Sequence, residues 1–169
     1  MNNNLLRTLA LPLVIVLVQT LLLSHIHMIG MTVPFIYIYI IMMMPYQTSP
    51  HLLMLTGFSL GLVVDLFMNT LGLNAAATTF LAFARPSIIR VISKKDYTEI
   101  SPSPNGFANG FAWFSSYSFL CCAFHEFFLY SVEAFSFANY AQTIIRIISG
   151  TLFSSVLIIL TEYLTQKQK

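Results

Sequence analysis

Four places in this 169-residue chain hold side chains whose types and spacing could do chemistry. His125-Glu126 opens like the zinc-peptidase pattern HExxH, in which two histidines on one helix face hold the metal and the glutamate activates water. The second histidine would fall at position 129, which is Leu129, so the pattern is incomplete. His25 and His27, two apart, are a possible ligand pair, yet no further His, Cys or carboxylate lies close by in sequence. Cys121 and Cys122 are adjacent in an apolar run. Neighbouring cysteines rarely close on each other and no metal-ligand spacing surrounds these, so they read as buried free thiols. Asp65 is a single carboxylate inside greasy sequence. No nucleophile-base pair, phosphate-cradling loop or pair of carboxylates completes a reaction centre, so neither an enzyme nor a cofactor is expected.

Composition explains what these residues sit in. With 57% hydrophobic and 8% charged residues, the chain lacks the polar surface that a soluble domain of this size needs. It reads as an integral membrane protein. The net charge of +2 is too small, and the basic residues too scattered, to form a nucleic-acid groove.

Apolar runs predict a single all-α domain of six membrane spans, approximately 5–23, 28–44, 51–67, 73–92, 107–130 and 143–164. The first run resembles a signal peptide but lacks a small-x-small site after Leu23, and reads as a retained anchor. Pro34 lies near the start of the second, where a missing amide costs least. Pro86 should bend the fourth near its end. The only extended polar stretch, 93–106, is the natural docking loop.

Six spans place both termini on one side. Arg7, Arg85, Arg90, Lys94, Lys95, Lys167 and Lys169 then gather there, leaving Arg146 opposite, and the crowded side is cytoplasmic. Arg85, Arg90, Lys94 and Lys95 should form a cytoplasmic rim suited to anionic lipid. Asp65, Glu126 and Arg146 fall toward the outer half. An unpaired charge there is costly, so Arg146 is expected to neutralise Asp65 or Glu126 across helices, the alternative being that all three end their helices at the interface.

The stretch 51–86 organises the rest. It reads as two apolar helices joined by a tight turn, with Gly57, Gly61 and Asp65 at i, i+4 and i+8 on one side of the first helix. Two glycines four apart let another helix backbone approach closely, with Asp65 beside the seam. Gly72 lies in the turn, and Asn74 opens the second helix with its side chain placed to cap a first-turn amide. GFSLGLVVDLF followed by NTLGLNAAATTFLAFARP resembles the hairpin of the MreD family of bacterial rod-shape-determining proteins, and HIHMIGMTVPFIYIYI at 25–40 is similar to the region upstream of it in some members. The likeness covers roughly residues 20–92, and beyond it only hydropathy agrees.

That resemblance implies a six-helix bundle in the bacterial inner membrane, similar to the substrate-binding components of vitamin transporters. It implies a non-catalytic scaffold of the cell-elongation machinery beside an MreC-like periplasmic protein, MreB-like filaments, a RodA-type glycosyltransferase and its penicillin-binding transpeptidase. The family supplies no catalytic residues. Gly57, Gly61, Asp65, Gly72 and Asn74 would organise the bundle, while partners dock on lipid-facing helices or the 94–106 loop. The alternative is a small-solute-binding subunit of a transporter, its outer cavity lined by His25, His27, Asp65, His125, Glu126 and Arg146. An ion pathway is a weaker reading, because the inner halves of the spans supply few polar residues.

Overall fold

The computed structural model describes residues 3–21, 32–93, 103–134 and 140–166 and, within them, the side chains of 12–165. Among the described residues every regular element is helical: α1 (Asn3–Leu21), α2 (Tyr39–Met42), α3 (Pro50–Met68), α4 (Leu73–Ile92), α5 (Gly106–Asn109), α6 (Phe111–Ala134) and α7 (Tyr140–Gln166). Three of them, α3, α4 and α7, are long and apolar enough to cross a membrane. His25, His27, Lys94 and Lys95, and the side chains of Arg7, Lys167 and Lys169, lie outside the described residues.

Local chemistry sets the ends of α3 and α4. Ser49 Oγ accepts from Leu52 N at 3.3 Å, and Pro50 occupies a first-turn position where no intrahelical amide is needed. α3 stops where Asn69 takes a left-handed conformation, φ 54°, which asparagine tolerates better than most residues. Gly72 then turns the chain into α4 at φ 81°, which favours a residue without Cβ.

α3 packs on α4, α4 on α6, and α6 on α7. Each helix shows a buried stripe at helical spacing: Leu53, Gly57, Gly61, Val64 and Asp65 on α3, and Asn74, Thr78, Leu81, Arg85 and Ile88 on α4. The opposite side of α3 exposes Leu55, Phe58, Leu62 and Leu66, the pattern of a helix that meets lipid on one side and protein on the other. The two glycines hold the α3–α4 seam closed. A Cβ on Gly61 would fall 2.5 Å from both Ala75 Cα and Asn74 O, inside the neighbouring backbone. At Gly57 it would meet Thr78 O at 3.0 Å and the Ala82 methyl at 3.2 Å.

Two predicted spans need correction. The second is not a continuous helix: residues 32–36 form no regular element, and α2 makes only one turn. Pro34 removes an amide there, and other helices supply the missing partners. Phe35 N donates to Ser154 Oγ at 2.8 Å, Ile36 N to Gln19 Oε1 at 2.8 Å, and Gln19 Nε2 to Pro34 O at 3.2 Å. Irregular backbone inside an apolar bundle is tolerated only with such partners. The fifth is divided: Asn105 caps the short α5, Gly110 breaks the chain at φ 91°, and α6 continues four residues beyond the predicted end at 130.

Because the atoms facing Gly61 are backbone and those facing Gly57 include a methyl group, Gly61→Ala should destabilise the protein more than Gly57→Ala. We expect about 3 kcal/mol or more for the first and about 1 kcal/mol for the second. Thermal unfolding of the two variants in mild detergent gives the order, and equal losses would contradict the seam.

Candidate functional site

The residues singled out along the hairpin meet at one place, the α3–α4 turn. Asp65 is 3% exposed, and its carboxylate lies against the start of α4. Oδ1 accepts from Asn74 N at 3.0 Å, Asn74 Nδ2 at 3.0 Å and the Thr70 hydroxyl, while Oδ2 accepts from Ala75 N at 2.8 Å. The first amides of a helix have no intrahelical acceptor, and they form the positive end of its dipole. Asp65 therefore caps α4 from the preceding helix, a role its own N-cap residue Gly72 cannot fill. This corrects the expected part for Asn74, which does not cap with its own oxygen. Asn74 Nδ2 also donates to Thr70 Oγ1 at 3.0 Å, and Asn74 Oδ1 accepts from Tyr37 Oη at 3.3 Å.

Tyr37, from the turn that leads into α2, carries the network into the bundle. Its hydroxyl contacts Thr78 Oγ1 at 2.8 Å and His125 Nε2 at 2.8 Å. The Thr78 proton is directed at Asn74 O, 2.8 Å away, so the Tyr37 proton goes to Thr78 or Asn74, and His125 Nε2–H donates to Tyr37. In this tautomer Nδ1 carries the lone pair, and it has no partner among the described residues. Phe35 and Tyr37 meet the imidazole edge-on, with ring centroids 5.3 Å and 5.6 Å away.

Glu126 faces the other side of the same segment. Its Oε1 accepts from Ser154 Oγ at 2.9 Å, and Ser154 in turn accepts from Phe35 N. Oε2 has no partner among the described residues. A Cβ on Gly150 would lie 2.7 Å from it, so the absence of a side chain at Gly150 makes room for the carboxylate. His125-Glu126 is thus a pair of inward-facing groups that hold the irregular segment from two sides. Among the described residues no three of His, Cys, Asp and Glu gather closely enough to hold a metal ion.

Among the described residues Arg146 makes no direct ion pair with Asp65 or Glu126, although its charge acts on Glu126. Arg146 Nη2 bonds Glu133 Oε1 at 3.2 Å, with its guanidinium 4.5 Å from the centre of the Tyr130 ring. Asp65 is already compensated by the start of α4, which removes the reason for a distant cation. The rim also needs revision. Arg90 is exposed, whereas Arg85 is 2% exposed. Arg85 Nε donates to Tyr117 Oη at 2.9 Å, and its Nη2 to Met42 O at 3.1 Å and to Met44 O. It lies on the buried stripe of α4, and the carbonyl ends of α2 attract a cation. Glu162 is similarly inside, accepting from Tyr39 Oη at 2.7 Å and from Gly106 N at 2.8 Å.

Tyr37, Gln19, Ser154, Gly150 and Glu162 were not predicted as members of the site. Their sequence signals are faint: single polar residues in apolar runs, whose partners lie on other elements. A groove of about 420 Å³ outside α6 and α7 is lined by Ser115, Ser116, Phe119, Leu120, Ser155 and Ile159, none of which belongs to the network. Compared with family models, curated proteins and solved structures, the chain finds no match in any of the three.

A double-mutant cycle separates the observed cap from the expected ion pair. Asp65→Ala with Asn74→Ala should couple by about 1 kcal/mol or more, while Asp65→Ala with Arg146→Ala should be additive within about 0.5 kcal/mol. Chemical unfolding of the four variants in detergent measures both, and the reverse pattern would reinstate the pair across helices.

Proposed function

We propose that this chain is a non-catalytic membrane scaffold of the MreD type, serving the bacterial cell-elongation machinery from the cytoplasmic membrane. The observation that carries the reading is how the residues of the resemblance are used. Gly57 and Gly61 close a helix seam, Gly72 shapes the turn, and Asp65 and Asn74 fasten that turn. A motif consumed in this way builds a rigid hairpin and leaves no reactive group presented to a substrate, which suits a protein that positions others.

In this reading six spans cross the membrane with both termini in the cytoplasm. α3, α4 and α7 would be joined by α1, α6 and the second segment, which is helical only in part. Arg90, Lys94 and Lys95 mark the cytoplasmic end, and Arg146 the outer one. Partners of the MreC, MreB and RodA kinds, with the associated transpeptidase, would use the apolar outer faces of the helices or the 94–106 loop, because the glycine seam is occupied by α4.

A second reading, a solute-binding subunit of a transporter, draws on one specific feature. His125 Nδ1 and Glu126 Oε2 are buried without partners among the described residues, beside a non-helical segment, and interrupted helices at membrane depth often border binding sites. Affinity purification of the tagged chain from native membranes in mild detergent distinguishes the two. Recovery of a bitopic periplasmic coiled-coil protein together with wall synthases, and rounding of cells on depletion, are the results expected of the scaffold. Recovery with an ATP-hydrolysing transporter subunit, and normal cell width on depletion, would refute it.

A further inference from the structure

One end of the bundle presents a cation close to the level of exposed aromatic rings. α4 runs toward this end and α6 away from it, and the Trp113 indole N–H ties them together by donating to Ser93 Oγ at 3.2 Å. Arg90 lies about 4.5 Å inward of Ser93 along α4, and Phe111 about 3 Å outward of Trp113 along α6, at 1.5 Å per residue. An arginine stem reaches across that difference. Arg90 is exposed, and at the same end of the bundle Val91 is 80%, Phe107 68% and Phe111 74% exposed.

The backbone that carries Phe107 is anchored. Glu162 holds α5, which carries Phe107, through the bond from Gly106 N, and Asn105 Oδ1 accepts from Ala108 N at 2.8 Å. Glu162 is 4% exposed and engaged inside, so the described carboxylate at this end does not offset the charge of Arg90 outside. Lys94 and Lys95 follow Ser93 in the sequence, with Asp96 and Glu99 beyond them. Large apolar side chains at the level of an exposed cation are matched by a surface that is anionic outside and hydrocarbon within. Aromatic side chains favour the headgroup level, and anionic leaflets attract adjacent basic residues.

We propose that Arg90, Val91, Phe107 and Phe111 form a docking rim for anionic phospholipid, with Arg90 on the phosphate and the apolar side chains at the acyl boundary. The rim depends on membrane residence alone, so its test is independent of the scaffold reading.

Trp113 is the single tryptophan of the chain and sits at this end. The full chain, reconstituted in phosphatidylcholine vesicles, can be titrated with brominated phosphatidylglycerol or brominated phosphatidylcholine, and quenching of Trp113 followed. The anionic lipid should quench at lower mole fraction. Arg90→Gln should weaken that preference about fivefold, the effect of one basic residue at a membrane surface. Arg146→Gln, about 30 Å away by the length of α6 between Trp113 and Glu133, should leave it unchanged. An unshifted Trp113 emission maximum in Arg90→Gln verifies that the exposed substitution has not disturbed the fold. Equal quenching by the two lipids, or an unchanged preference in Arg90→Gln, would overturn the proposal.

Discussion

A carboxylate on one helix and the first amides of the next share a turn only a few residues long, and the hairpin is shaped by their meeting. Asp65 takes two backbone amides and two side-chain donors, so its charge is matched by oriented dipoles instead of a cation. The glycines make this possible. Without a side chain at Gly61, the backbone of α4 at Asn74 and Ala75 lies where a Cβ would otherwise be, and those are the residues whose amides Asp65 receives. Close approach and capping are therefore one device: the approach brings the amides to the acid, and the acid rewards the approach. In an apolar surrounding, where lipid offers no hydrogen bonds, such internal satisfaction weighs more than it would at a wet surface.

From that turn the constraint passes inward. Asn74 reaches Tyr37, Tyr37 reaches His125, and the segment bearing Tyr37 is held from its other side by Ser154 and Glu126. A non-helical stretch threaded between helices would be costly if its amides were bare. Here α1 and α7 supply acceptors to Ile36 and Phe35. At the far end of the bundle Arg85 faces the carbonyls that close α2, while Glu162 receives the hydroxyl of Tyr39. The short helix thus lies between a buried cation and a buried acid, each bonded to a different part of it. Buried polar residues of this kind act chiefly as fasteners that select one arrangement of the bundle.

The sequence made α3 and α4 legible nearly to the residue, because apolar runs of spanning length and an Asn-Thr-Leu-Gly turn between them carry local signals. The shared side of Gly57, Gly61 and Asp65 follows from helical spacing alone. What stayed hidden depended on partners far along the chain. Asp65 looked for a cation because charge can be read from sequence and a helix terminus eight or more residues away is easily overlooked. Arg85 looked like a rim residue by its place near the end of α4, yet it lies on the same stripe as Thr78 and Leu81. The irregular segment at 32–36 was concealed by hydropathy that suits a helix, with Pro34 as the one local hint. Gly110 divides a run of aromatic residues that otherwise reads as continuous.

The dependence of the hairpin on this cap can be observed at the amides themselves. First-turn amides of a helix ordinarily exchange quickly, since they lack intrahelical partners. Hydrogen exchange of the protein in detergent micelles, resolved by NMR, should find Asn74 N–H and Ala75 N–H protected to the level of the α4 interior, and Asp65→Leu should remove that protection first. Fast exchange at both positions in the unaltered protein, or protection that survives loss of the carboxylate, would contradict the view that Asp65 fastens the two helices.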